Sequence, residues 1–96
     1  MRLQKFEIEA IKSTAQFIFG MQTIVTLFGS RIEDDKKGGD IDLYIEPENR
    51  DNLYEKKIQF LIKLKSIIGF QKIDVVMAQD ISRLVEVEAK TKGVQL

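Results

Sequence analysis

Leu27-Phe28-Gly29-Ser30-Arg31-Ile32-Glu33-Asp34-Asp35-Lys36-Lys37-Gly38-Gly39-Asp40-Ile41-Asp42-Leu43-Tyr44-Ile45 is the stretch that decides how this chain is read. Thr23 to Phe28 is a short β-branched and apolar run, and Gly29-Ser30 stops it. Asp40 to Glu46 reads as a second strand, closed by Pro47. Side chains two apart on a strand share a face, so Asp40 and Asp42 project together while Ile41 and Leu43 point into the protein. Two adjacent carboxylates repel unless a cation lies between them, and Mg²⁺ commonly takes one or two carboxylates together with substrate phosphates. The stretch therefore suggests a metal–nucleotide site beside a small-residue turn.

Working outward, Ile8, Ile11, Ala15 and Ile18 recur at helical spacing and form an opening amphipathic helix that ends near Gly20. Gly38-Gly39 frees the backbone to turn out of the polar Arg31–Gly39 loop. Asn49 or Asp51 is expected to cap a long helix through Ile68, with Leu53, Lys57, Phe60/Leu61, Leu64 and Ile67/Ile68 as its inner stripe. Gly69 stands where a helix-ending glycine belongs. A third strand is expected within Phe70–Met77, then a helix capped by Asp80 and running to about Lys90, then a Val94-Gln95-Leu96 tail. Phe6, Phe17, Met21 and Phe60 are expected in the core, and Tyr44 and Tyr54 as candidate surface contacts. The order α-β-β-α-β-α gives an α/β class, with a small mixed sheet of about three strands flanked by helices. Residues 1–96 form one domain in this reading, since 96 residues leave little room for a second.

Composition narrows the chemistry. The apolar fraction is 44% and the charged fraction 31%, as in an ordinary soluble globular domain. No run approaches the roughly 20 apolar residues of a membrane span, and no export signal is evident, so a cytoplasmic location is expected. The chain has no cysteine, which excludes disulfides and thiolate metal sites. It has no histidine either, so no Ser-His triad can form, and any general base must be a carboxylate, Lys or Tyr. Lys+Arg and Asp+Glu balance at 15 each, without the basic excess usual for a binder of long nucleic acid.

Asp74 stands between Ile73 and Val75 in an apolar strand, where a carboxylate is costly to bury unless it is paired or metal-bound. A water-facing position at the sheet edge would explain it equally well. Set beside Asp40 and Asp42, it completes the carboxylate set of a two-metal site and offers a base for the attacking hydroxyl. Gly29-Ser30 can be a plain turn or a phosphate cradle in which free N–H groups face the anion. Arg31 and Lys37 could steady a triphosphate. Glu33, Asp34, Asp35 and Lys36 read as an exposed charged loop.

Phe28-Gly29-Ser30-Arg31, the Gly38-Gly39 loop, Asp40-Ile41-Asp42-Leu43 and Ile73-Asp74-Val75-Val76 together resemble the DNA polymerase β-type nucleotidyltransferase superfamily, and most closely its minimal nucleotidyltransferase (MNT) antitoxins. The resemblance implies the polymerase β-like palm fold. It implies Mg²⁺, two ions when nucleotide is bound, held by Asp40, Asp42 and Asp74, which would also be the catalytic residues. It places the phosphates of a nucleoside triphosphate, ATP above all, on Gly29 and Ser30, with Arg31, Lys37 and Gly39 in the same binding region. It implies transfer of AMP to a helical HEPN toxin as partner, the chain acting as the antitoxin. Two other functions are carried alongside: a non-catalytic or nucleotide-sensing module that neutralises its partner by binding, and a small-molecule nucleotidyltransferase of the aminoglycoside type, whose acceptor pocket would need a homo-oligomer.

Overall fold

The computed structural model describes residues 3–29, 41–78 and 84–96. Its elements in chain order are α1 (Lys5–Phe19), β1 (Ile24–Phe28), β2 (Ile41–Glu46), α2 (Leu53–Ile68), β3 (Ile73–Met77), α3 (Leu84–Lys92) and β4 (Val94–Gln95). The strands form one mixed sheet in the order β3-β2-β1-β4. β1 runs antiparallel to both β2 and β4, whereas β2 and β3 are parallel and joined through α2. The expected sheet of about three strands thus has four among the described residues. The difference lies in the tail: Val94 and Gln95 pair with Leu27 and Thr26, and the Leu96 N–H donates to the Val25 carbonyl at 2.9 Å.

Alternation divides the sheet into two faces. Val25, Leu27, Ile41, Leu43, Ile45, Ile73, Val75 and Met77 are buried on one face, in a single cluster with Ile11, Ala15 and Phe19 of α1 and Phe60, Leu64 and Ile68 of α2. The Phe19 and Phe60 rings meet at 5.7 Å between centroids, tilted by 47°, which locks the two helices together beneath the sheet. On the other face Tyr44, Ala78 and Ala89 form a smaller cluster, with Phe28 and Val76 packed against it.

The helix ends are set locally. Glu7, buried in the first turn of α1, accepts the Gln4 N–H at 2.9 Å and the Gln71 side-chain amide at 2.7 Å, so one carboxylate closes a capping box and ties α1 to the approach to β3. α2 begins at neither expected cap. Its N-cap is Asn52, in the left-handed region at φ 54°, with no side-chain capping bond. Asn tolerates that conformation better than most residues, because its short polar side chain can bond locally. Gly69 ends α2 as expected, at φ 95°, its N–H donating to the Lys65 carbonyl at 2.9 Å. The Asp80 cap lies outside the described residues.

Several side chains depart from their expected places. Phe60 is in the core, but Phe6, Phe17 and Met21 are exposed. Helical spacing alone cannot tell a buried stripe from its neighbour when Ile11, Ala15 and Phe19 already fill the inward line. Tyr44, expected as a surface contact, is among the most buried residues, because α3 lies over its face of the sheet.

Candidate functional site

Asp42 is the second residue of β2 and Asp74 the second of β3, and the parallel register sets them directly side by side. Their neighbours Ile41, Leu43, Ile73 and Val75 are buried on the helical face, so both carboxylates belong to the opposite face, Asp42 half-buried and Asp74 exposed. Adjacent strands lie about 4.8 Å apart. Two negative charges at roughly 5 Å repel by about 1 kcal/mol in water and about 3 kcal/mol at an effective dielectric constant of 20. Asp74 is exposed, so the smaller figure is the better guide. A cation between the carboxylates would turn that repulsion into attraction.

On the other side of Asp42 the antiparallel register brings Phe28, followed at once by Gly29. Gly29 takes φ +80°, a conformation that residues with a β-carbon seldom adopt. A β-carbon there would also collide with Asp42 Oδ2, and would lie 3.0 Å from Cγ and 3.3 Å from Cβ of the same side chain. The turn and the carboxylate therefore fit together only because residue 29 has no side chain. Gly29, Asp42 and Asp74 form one lateral row across three strands, at the carboxyl end of β1 and the amino ends of β2 and β3.

Beside this row the same face is apolar. Tyr44 is two residues along from Asp42, and with Phe28 and Val76 it packs towards Ala89 of α3. Farther along, Lys90 of α3 pairs with Glu46 of β2 at 3.3 Å, fastening the helix across the end of the strand. One end of the face is thus covered, and the row of Gly29, Asp42 and Asp74 lies at the other.

Of the residues singled out in the sequence, the fold brings together Gly29, Asp42 and Asp74. Ser30, Arg31, Lys37, Gly39 and Asp40 lie outside the described residues. Among the described residues no cluster of three metal-ligating side chains forms, the expected third member being Asp40. The two described carboxylates are oxygen donors suited to Mg²⁺, and the Gly29 cradle holds one of them against the turn. Sequence reasoning missed Tyr44 as the floor beside the site, although its even spacing from Asp42 placed it on that face.

Compared with family models, curated proteins and solved structures, the chain matches none. No helix among the described residues is long and apolar enough to cross a membrane.

Proposed function

We propose that this protein is a Mg²⁺-dependent nucleotidyltransferase that moves AMP from ATP to an acceptor hydroxyl on a partner protein, and that the partner is a HEPN-type toxin which it neutralises as an antitoxin. The observation that carries the reading is the register of Asp42 with Asp74, together with the close fit of Gly29 to the Asp42 carboxylate. Gly29, Asp42 and Asp74 are the described members of the motif that carries the family resemblance.

In this reading Asp40 and Asp42 hold the metal, Asp74 shares in holding it, and Gly29 and Ser30 receive the leaving phosphates. Bound Mg²⁺ supplies charge neutralisation of the phosphates and Lewis acidity. The acceptor oxygen attacks the α-phosphorus of ATP and forms the new P–O bond. The bond to the β-phosphate bridging oxygen breaks, and pyrophosphate leaves. Asp74 takes the acceptor proton; its exposure leaves it accessible to an incoming hydroxyl, and the chain contains no histidine for the task. Arg31, Lys37 and Gly39 complete the nucleotide-binding region. Balanced charge favours a protein acceptor over a long nucleic acid.

The test incubates the protein with ATP, Mg²⁺ and candidate HEPN partners and reads AMP addition by intact mass. Transfer that disappears in Asp42→Asn and Asp74→Asn supports the proposal. Full transfer by the double variant overturns it.

A second reading, neutralisation by binding alone, draws support from the large apolar side chains left exposed, Phe17, Tyr54, Ile62 and Phe70 among them. Calorimetry with Mg²⁺ and ATP separates the two. The binding reading expects no nucleotide uptake and full neutralisation by the aspartate variants.

A further inference from the structure

Among the described residues β3 is the last strand on its side of the sheet. The Ile41 N–H donates to the Lys72 carbonyl at 3.0 Å and the Ala78 N–H to the Ile45 carbonyl at 2.8 Å. In a parallel ladder these bonds turn the backbone groups of residues 72, 74, 76 and 78 towards β2, so those of Ile73, Val75 and Met77 face outward. β3 contains no Pro, Gly or Lys, residues that commonly protect an open edge, and its one charge, Asp74, is on the face away from α1 and α2.

The helix above this edge has a second apolar line. Tyr54, Ile58 and Ile62 of α2 are 78%, 42% and 67% exposed and follow one another at four-residue intervals. At about 100° per residue this line lies roughly 120° around the helix from the buried Phe60–Leu64–Ile68 line. Lys63 lies about 100° the other way, and its ammonium sits 5.0 Å over the Phe17 ring of α1. The Lys63 flank therefore faces α1, and the Tyr54–Ile62 flank faces away from it. Since α1 leads into β1 and α2 joins β2 to β3, facing away from α1 means facing the open edge of β3.

We propose that this flank is a two-fold association surface for a second copy of the chain. β3 pairs antiparallel with its counterpart about Val75, and α2 packs antiparallel on its counterpart about Ile58. The sequence suits that symmetry. Tyr54 meets Ile62 of the second copy, Ile58 meets itself, and Lys65 comes near the second copy's exposed Asp51, which lies in the turn just ahead of α2. Lys56 and Lys63, which would repel a second α2, are on the far flank. The spacing also agrees. A helix joining two neighbouring strands lies over the gap between them, so strand pairing at about 4.8 Å sets the two helices roughly 10 Å apart, within ordinary helix-packing distance. The surface borders the Gly29, Asp42 and Asp74 row through Asp74, which comes opposite Val76 of the second copy, but the association does not depend on the nucleotidyl-transfer reading.

Sedimentation of the whole protein tests this at about 100 μM, where even a micromolar contact is filled. The expected species is a dimer that Ile62→Glu converts to a monomer with an unchanged far-UV circular dichroism spectrum. Lys65→Asp should weaken the dimer about tenfold, and Lys65→Asp combined with Asp51→Lys should restore it. A wild-type monomer, which would leave the flank to a different protein or an anionic surface, overturns the proposal. So does a dimer that is indifferent to Ile62→Glu or not restored by the charge exchange.

Discussion

A β-carbon on Gly29 would fall against Asp42 Oδ2, so the backbone of the turn and the carboxylate of the neighbouring strand share one tightly fitted volume. Gly29→Ala introduces two faults together. At φ +80° the alanine costs about 1–2 kcal/mol in backbone strain, and its methyl group forces the Asp42 side chain away. We expect a stability loss of about 1–3 kcal/mol by urea unfolding. We also expect Mg²⁺-dependent ATP binding, read by calorimetry, to weaken at least about tenfold. A variant as stable as wild type that binds normally would show that the Gly29–Asp42 fit is incidental.

Asp74 is exposed and Asp42 half-buried, which separates their expected effects on folding from those on chemistry. Asp74→Asn should leave unfolding free energy within about 0.5 kcal/mol of wild type, as surface substitutions usually do. Under the proposed function, with Asp74 as the base, AMP transfer should fall by at least about 100-fold. Loss of stability in parallel with activity would make Asp74 a structural residue and remove the case for its chemical role.

The sheet was legible where local signals agreed. Gly20, Gly29, Pro47 and Gly69 separate segments whose periodicity is plainly helical or extended, and β1, β2, α2 and β3 follow those divisions. The shared face of Asp42 and Asp74 was legible for the same reason, because alternation within Ile41–Leu43 and Ile73–Val75 fixes it, while Asp40 lies outside the described residues. What could not be read from the sequence depended on partners distant along the chain. Val94-Gln95 is too short to announce a strand and becomes one only because β1 offers it an edge. Tyr44 is buried because α3 returns over the sheet, and Phe17 is exposed because Phe19 and Ile11 take the inward line of α1. Asn52 caps α2 through its backbone conformation and not through a side-chain bond, so side-chain capping preference alone did not single it out from Asn49 and Asp51.

Thr14 is 1% exposed within α1, and its hydroxyl has no hydrogen-bond partner among the described residues. Burying an unpartnered hydroxyl costs about 1–3 kcal/mol, whereas valine fills nearly the same volume without a polar atom. Valine's slightly lower helix propensity offsets only a few tenths of a kcal/mol. Thr14→Val is therefore expected to raise the unfolding free energy by about 1 kcal/mol, with ATP binding unchanged. A destabilised variant would mean that the hydroxyl has a partner, such as a buried water.

Gly93 joins α3 to β4, and a β-carbon there would strike the Ala89 carbonyl oxygen and approach Thr26 Cγ2 to 2.5 Å and the Leu27 carbonyl oxygen to 2.9 Å. Two of these three contacts are with backbone, which cannot swing aside as a side-chain tip does. Gly93→Ala should therefore push the α3–β4 corner away from β1, at a cost of about 1–3 kcal/mol for overpacking. The displacement should be visible at Tyr44, which is 2% exposed and shares a cluster with Ala89. The chain has two tyrosines and no tryptophan, so a Tyr54→Phe background leaves Tyr44 as its single tyrosine fluorophore. In that background Gly93→Ala is expected to make Tyr44 emission accessible to acrylamide quenching while the helical signal is largely kept. Equal quenching in the two proteins would show that α3 holds its place over the sheet without the close approach at Gly93.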